Sequence, residues 1–482
     1  MKTTFTLAAL LLSVCCLAQP NGTEWQSPES LSQGKEAPRA YMFSFASIEE
    51  AKNVLPYGST YYRSLDGTWK FHWVPSPEER PADFYKTDYD VSSWDDITVP
   101  GCWNVQGLKA DGTMKYGVPI YVNQPVIFYH EVKPDDWREG VMRQPKDKRW
   151  TTYQYPNEVG SYRRTFTIPK DWKGRHVYVN FDGVDSFFYL WVNGQYVGFS
   201  KNSRNTASFD ITPYVNRKGD NTLAVEVYRS SDGSFLEAQD MFRLPGIFRS
   251  TYLTAMPEQQ IRDLAVTTAS TDGREAEIRL NAEIRNLGKK EAARTIDYYV
   301  YQVALYGDSI ERLVGKYPGK DAQDAISLIG IRTWNAETPY RYVLVAALKD
   351  THGKTVDIAS TYFGIRTVEI RDTPAAEDEF GLAGRYFYVN GKPVKLKGVN
   401  RHETNPSLGH AITREQMLHE AMLMKQGNIN HVRLCTTATT PTGTTWLTST
   451  GFTWRMNATS RATSTTTARH RCHTPRNGGQ HT

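Results

Sequence analysis

The stretch from Gly398 to Cys435 constrains this chain more than any other, because it reads strand, helix, strand. Just before it, residues 386–396 alternate apolar and polar side chains on either side of Asn390-Gly391. Asn-Gly is a strong hairpin signal, since both residues tolerate positive φ. The second hairpin strand is expected to run straight into a polar packet at 397–405: Asn400, Arg401, His402 and Glu403. Thr413-Arg-Glu-Gln416 is a capping box, in which the hydroxyl caps the amide three residues on and Gln416 reaches back. Met417, Leu418, Ala421, Met422 and Met424 then form an apolar face at helical spacing, and Gly427 is expected as a left-handed cap. Residues 429–435 read as the next strand. Two strands joined through a helix run parallel. In a β/α barrel, polar residues at strand ends face the chemistry.

Everything upstream reads as β-sandwich. Residues 19–60 are irregular and form an arm expected to lie over the next domain. From 61 to 257, short alternating strands such as 161–168, 176–181, 187–192 and 221–228 are separated by turn clusters, among them Asn193-Gly194. An insertion at roughly 108–158, rich in Tyr, Pro and Asn, interrupts them, and long loops in compact domains are usually functional. Residues 258–368 form a second all-β block of immunoglobulin-like size, with strands at 275–284, 296–303 and 342–348.

The start combines an early Lys2, an apolar run and small residues before Gln19, so residues 1–18 are expected to be a signal peptide and the protein secreted or periplasmic. Cys15 and Cys16 raise lipoprotein anchoring as the alternative, although the flanking Ser-Val fits a lipobox poorly. No later stretch is long and apolar enough for a transmembrane segment. Cys102, Cys435 and Cys472 are too few for a disulfide framework. The formal charge of +5 resides in the five arginines of 436–482; the rest of the chain is balanced, so no nucleic-acid partner is implied. The 28 Tyr and 12 Trp suit large cores and stacking on sugar faces.

Several motifs together resemble glycoside hydrolase family 2, and within it the β-galactosidases, over residues 25–435. They are Gly183-Val-Asp-Ser-Phe-Phe-Tyr-Leu-Trp-Val-Asn-Gly194, Ser231-Asp-Gly-Ser-Phe-Leu-Glu-Ala-Gln-Asp-Met-Phe-Arg-Leu-Pro-Gly-Ile-Phe-Arg249, Tyr116-Gly-Val-Pro-Ile-Tyr-Val-Asn123 and Gly398-Val-Asn-Arg-His-Glu403. The resemblance implies a multidomain, mainly β architecture. A jelly-roll sugar-binding β-sandwich and an immunoglobulin-like β-sandwich are followed by the start of an incomplete (β/α)8 TIM barrel at 369–435. It implies that Asn123 hydrogen-bonds galactose, that Asp232 binds a sugar hydroxyl and a sodium ion, and that His402 contacts the sugar near the reacting centre. It also implies Mg2+ and Na+ as cofactors and a homo-oligomer in the full-length form. Taken singly, Asp232 also reads as an ordinary turn residue, His402 as a satisfied structural histidine and Asn123 as a loop polar group.

Retaining glycosidases use two carboxylates about 5 Å apart. The family draws both from later barrel strands, and no residue of this chain matches either glutamate, so no catalytic residue is assigned. A barrel needs about 250 residues, whereas about 110 follow Asp372. Residues 436–482 hold 17 Thr and no Asp, Glu, Lys, Tyr, Val or Ile, which predicts a segment without strand or helix. A shifted reading frame accounts for this. Thr codons are ACN, and a one-base shift reads NAC, which encodes Tyr, His, Asn or Asp. Read so, the tail allows His-Tyr-Pro-Asp from Ala438 and Asn-Ile-Glu-Ser-His within 454–463, the segment that supplies the family's magnesium ligands. A natural Thr-rich tail is the other reading.

Three functions follow. The first is a β-galactosidase acting on terminal β-D-galactose residues of β-galactosides or oligosaccharides, inactive in this polypeptide. The second is a non-catalytic carbohydrate-binding protein. The third is a β-glucuronidase or β-mannosidase of the same family.

Overall fold

The computed structural model describes residues 19–27, 31–121, 157–237, 241–289, 295–305, 307–378, 381–434 and 447–456. Asn123 and Cys435 lie outside them.

The first domain is an antiparallel sandwich. Its larger sheet has seven strands in the order Ser32–Gln33, Gln195–Ser200, Phe187–Val192, Asn221–Tyr228, Val159–Phe166, Gly67–Val74 and Asp95–Val99. The facing sheet runs Ala207–Asp210, His176–Phe181, Thr251–Met256, Tyr62–Ser64. Inward side chains of both sheets, including Trp69, Phe71, Tyr162, Phe181, Phe188 and Leu253, form one core. Asn193 and Gly194 take φ of 50° and 77°, the tight turn expected between Phe187–Val192 and Gln195–Ser200. The arm is built into this domain, because Ser32–Gln33 adds an edge strand to the larger sheet.

The second domain packs the three-stranded sheet Gln259–Thr271, Glu275–Asn286, Gln323–Ile329 on the four-stranded sheet Ile310–Lys320, Thr295–Val303, Tyr342–Lys349, Thr355–Phe363. Along Glu275–Asn286, Ala276, Ile278, Leu280 and Ala282 are buried while the residues between them face out. This period of two belongs to a sheet wet on one face.

The third unit has the parallel strands Gly398–Arg401 and His431–Leu434 joined through the helix Arg414–Gln426. Five expectations need correction here. The hairpin and the barrel strand are separate elements. Asn390 and Gly391 do turn with φ of 51° and 71°, but the hairpin Gly384–Val389 to Lys392–Pro393 joins Val368–Thr373 in its own sheet. A backbone leaving a tight two-residue turn pairs with its neighbour first, and the Val394 amide still donates to the Phe387 carbonyl at 2.8 Å. The Thr413 hydroxyl caps Gln416 as expected, at 3.2 Å, but the Gln416 side chain turns to Asn405 and Glu420, where stronger polar partners sit. Gly427 has a φ of −78°, and Asn428, at 56°, takes the left-handed position. The apolar face is also narrower than the spacing suggests. Met417 and Ala421 are buried, whereas Leu418, Met422 and Leu423 are exposed.

The fifth correction concerns the Thr-rich segment, which was expected to carry no strand. Thr453–Met456 pairs parallel with His431–Leu434 as a third strand. Threonine is β-branched and fits an extended backbone, and two apolar side chains suffice to seat the segment. Leu447 and Phe452 are buried with Ala421, Val432 and Leu434. Gly451, at φ 86°, lies so close to the second domain that a Cβ would stand 2.2 Å from the Ala336 carbonyl oxygen.

Candidate functional site

The strand Asn221–Tyr228 ends in the loop that carries Asp232, and the loop is held by a cage of short polar side chains. The Ser186 Oγ lies 2.7 Å from the Ser231 Oγ and 2.9 Å from the Ser234 Oγ, and the Ser231 amide donates to the Ser234 Oγ. Serine suits this place because its hydroxyl both donates and accepts, so a buried loop can satisfy its own backbone. The Asp232 amide donates to the Trp25 carbonyl at 2.9 Å, so the arm closes the loop from behind. Asp232 is therefore more than a turn residue, being buried and fixed at both backbone and side chain.

Its carboxylate meets an ammonium. The Lys201 Nζ stands 2.9 Å from the Asp232 Oδ1, with 2% and 6% of the two side chains exposed, and also donates to the Ser27 carbonyl. Beneath the loop, Glu237 accepts from the Ser203 amide and hydroxyl. Burial first, then the charge of Asp185, pushes its carboxyl up to about 7. Asp185 is itself held by Arg204 at 3.1 Å.

The same loop anchors the insertion that leads to Asn123. Arg229 pairs with Glu158 at 2.6 Å and donates to the Val118 carbonyl, Asn157 and Ser230 exchange two hydrogen bonds, and Ile120–Tyr121 pairs with Phe242–Arg243. The chain two residues before Asn123 is thus tied beside the Asp232 loop; Asn123 itself lies outside the described residues.

At the barrel strand, the packet divides by role. Arg401 pairs with Glu420 and Glu403, and Glu403 pairs with the buried Arg249 of the sandwich at 3.0 Å, a chain of charges that joins the two units. Asn400 accepts from Arg433 on the neighbouring strand. His402 is exposed at the end of Gly398–Arg401. Sequence reasoning passed over His410, which is buried against the Phe242 and Glu403 carbonyls; burial, then Arg204, lowers its pKa to about 4. It also missed Lys201, Glu237 and Arg249. The first follows a strand with nothing local to mark it, and the other two lie inside a motif read for Asp232.

The metals implied by the resemblance meet different donor sets. Among the described residues no three His, Cys, Asp or Glu side chains gather, so none fits magnesium. Asp232 does not fit sodium at Oδ1, because the Lys201 ammonium already supplies the positive charge there. Among the described residues no helix is long and apolar enough to cross a membrane.

The comparisons with known proteins agree along the chain. Residues 62–257 match the sugar binding domain of glycosyl hydrolases family 2, residues 259–366 match a second region of that family, and residues 380–466 match its TIM barrel domain. A β-galactosidase of Priestia megaterium is 36% identical over 432 residues, covering 86% of this chain and 38% of that protein. One of Halalkalibacterium halodurans is 35% identical over 396 residues, covering 81% and 34%. A Bifidobacterium dentium β-glucuronidase structure, solved with coumarin-3-O-glucuronide, superposes with a TM-score of 0.62 at 19% identity, over 83% of this chain and 62% of that one, a likeness of fold. The chain thus spans well under half the length of these two β-galactosidases. Three successive matches to one family, in the order of the three folded units, show that the chain belongs to glycosyl hydrolases family 2.

Proposed function

We propose that the protein is a β-galactosidase. Its full-length form hydrolyses terminal non-reducing β-D-galactose residues with retention, and the Asp232 loop, the insertion carrying Asn123 and the exposed His402 form one wall of the galactose site. The observation that carries this reading is the fixed Asp232 loop within a chain 36% identical to a β-galactosidase over 86% of its length. Short acceptors on a rigid loop suit sugar hydroxyls, because hydrogen bonds to a charged group are strong and directional. The acid and the nucleophile are assigned to no residue of this sequence, so the 482-residue polypeptide binds galactosides without cleaving them. The leader at 1–18 sends it out of the cytoplasm, and the full-length form assembles as a homo-oligomer.

Titration of the full chain with galactose, glucose and glucuronate, together with a nitrophenyl-galactoside assay, tests this. Galactose is expected to bind best. Asp232→Ala is expected to weaken it about tenfold or more, the loss of a hydrogen bond to a charged group. Turnover above buffer overturns the assignment of an inactive polypeptide. Preference for glucuronate overturns the galactoside reading.

A further inference from the structure

We propose that Lys201 is the resident cation of the Asp232 loop, its ammonium standing where a sodium ion would otherwise neutralise the carboxylate. Three observations carry this. The ammonium is 2.9 Å from the Asp232 Oδ1, and both side chains are almost wholly out of water. An ammonium in that setting persists only with a charge partner and further hydrogen-bond acceptors, and it has both, since it also donates to the Ser27 carbonyl. The lysine is also not free to swing away. Its backbone amide donates to the Leu31 carbonyl, directly after the strand pair that joins Ser200 to Ser32. The arm therefore holds Lys201 at its main chain and its head group, and holds Asp232 through the Trp25 carbonyl.

A sodium ion on the same oxygen would stand within a few ångströms of the ammonium, and two like charges at that range in a buried setting repel strongly. One cation therefore excludes the other. A metal ion exchanges with solvent and its occupancy follows sodium concentration, whereas a lysine is always present. The Asp232 carboxylate is thus held against a fixed cation and aimed without regard to salt composition. Its meaning for sugar binding rests on the reading of Asp232 given above. The cation itself is read without sugar, so failure of one leaves the other standing.

The test is thermal unfolding of the full chain in sodium, potassium and choline chloride at equal ionic strength. A specific ion bound at a hundredfold excess over its dissociation constant raises Tm by several degrees. The wild type is expected to melt within about 1 °C in all three salts. Lys201→Met is expected to lower Tm by about 5 °C or more, because a buried carboxylate loses its partner. Lys201→Met combined with Asp232→Asn is expected to melt above Lys201→Met alone. Should Lys201→Met not fold, Lys201→Arg decides, since it keeps the cation and is expected to stay independent of sodium. A sodium-specific rise in the wild type or in Lys201→Arg overturns the proposal. So does a double variant whose loss is the sum of the two single losses, which would show the groups to be uncoupled.

Discussion

Glu237 shows how a single buried group couples this site to pH. Burial and Asp185 raise its carboxyl to about 7, and burial raises Glu226 to about 7 and Asp182 to about 6. A carboxyl whose folded pKa lies above its unfolded value binds more protons folded than unfolded. The stability it contributes is present below the unfolded pKa and is lost as pH rises through about 6 to 7. His410 acts in the opposite sense over an overlapping range, because its lowered pKa costs stability as pH falls from about 6.5 towards 4. The sandwich transition is therefore expected to weaken as pH rises from about 4.5 to about 7, and Glu237→Gln to flatten that slope; a melting series in which the variant keeps the wild-type slope would remove Glu237 from the account. The Arg249–Glu403 pair makes a second residue-scale case. Arg249→Met leaves Glu403 buried with one arginine fewer and is expected to cost about 3 kcal/mol, whereas pairing it with Glu403→Gln recovers part of that in denaturant unfolding. Asp232 was singled out only through several motifs taken together, since alone it reads as a turn residue. Lys201 was not, because its partners Ser27 and Asp232 are far away in sequence and only the folded arm brings them together.

At the scale of elements, local chemistry was readable and distant pairing was not. The two Asn-Gly turns, the Thr413 cap and the alternation of Glu275–Asn286 follow from backbone preference and a period of two, which act over a few residues. The separation of the hairpin from Gly398–Arg401 depends on which strand each meets, Val368–Thr373 or His431–Leu434, and no local signal carries that. Thr453–Met456 failed as a sequence reading for a related reason. A count of polar residues hides the few apolar ones that find a core, here Leu447 and Phe452 against Ala421 and Val432. The helix Arg414–Gln426 offers a direct check on which face does the packing. Ala421→Leu is expected to cost about 1–3 kcal/mol by overfilling that core, while Met422→Gln, on the exposed side, stays within about 0.5 kcal/mol. Equal losses from the two in chemical denaturation would mean that the helix sits rotated from this arrangement.

The whole molecule joins two closed sandwiches to a parallel sheet that, among the described residues, has three strands. Both sandwiches have large buried cores, whereas Leu418, Met422 and Leu423 lie exposed together on one helix. Contacts from the second domain steady the barrel unit from one side: Trp334 donates to the Thr448 carbonyl, Lys425 to the Ala336 carbonyl. Its other side carries the helix face and the strand Gly398–Arg401, which is paired along one edge in the described sheet. Open strand edges and contiguous apolar surface both draw chains together. The 482-residue polypeptide is therefore expected to self-associate as its concentration rises. Replacing Leu418, Met422 and Leu423 together by glutamate is expected to reduce that association without shifting the melting of the sandwiches, because none of the three is in a sandwich core. Sedimentation velocity across a hundredfold range of concentration distinguishes the outcomes. A wild-type chain that stays monomeric throughout would mean that the exposed face is covered within the molecule, and association unchanged in the triple variant would move the contact to the strand edge.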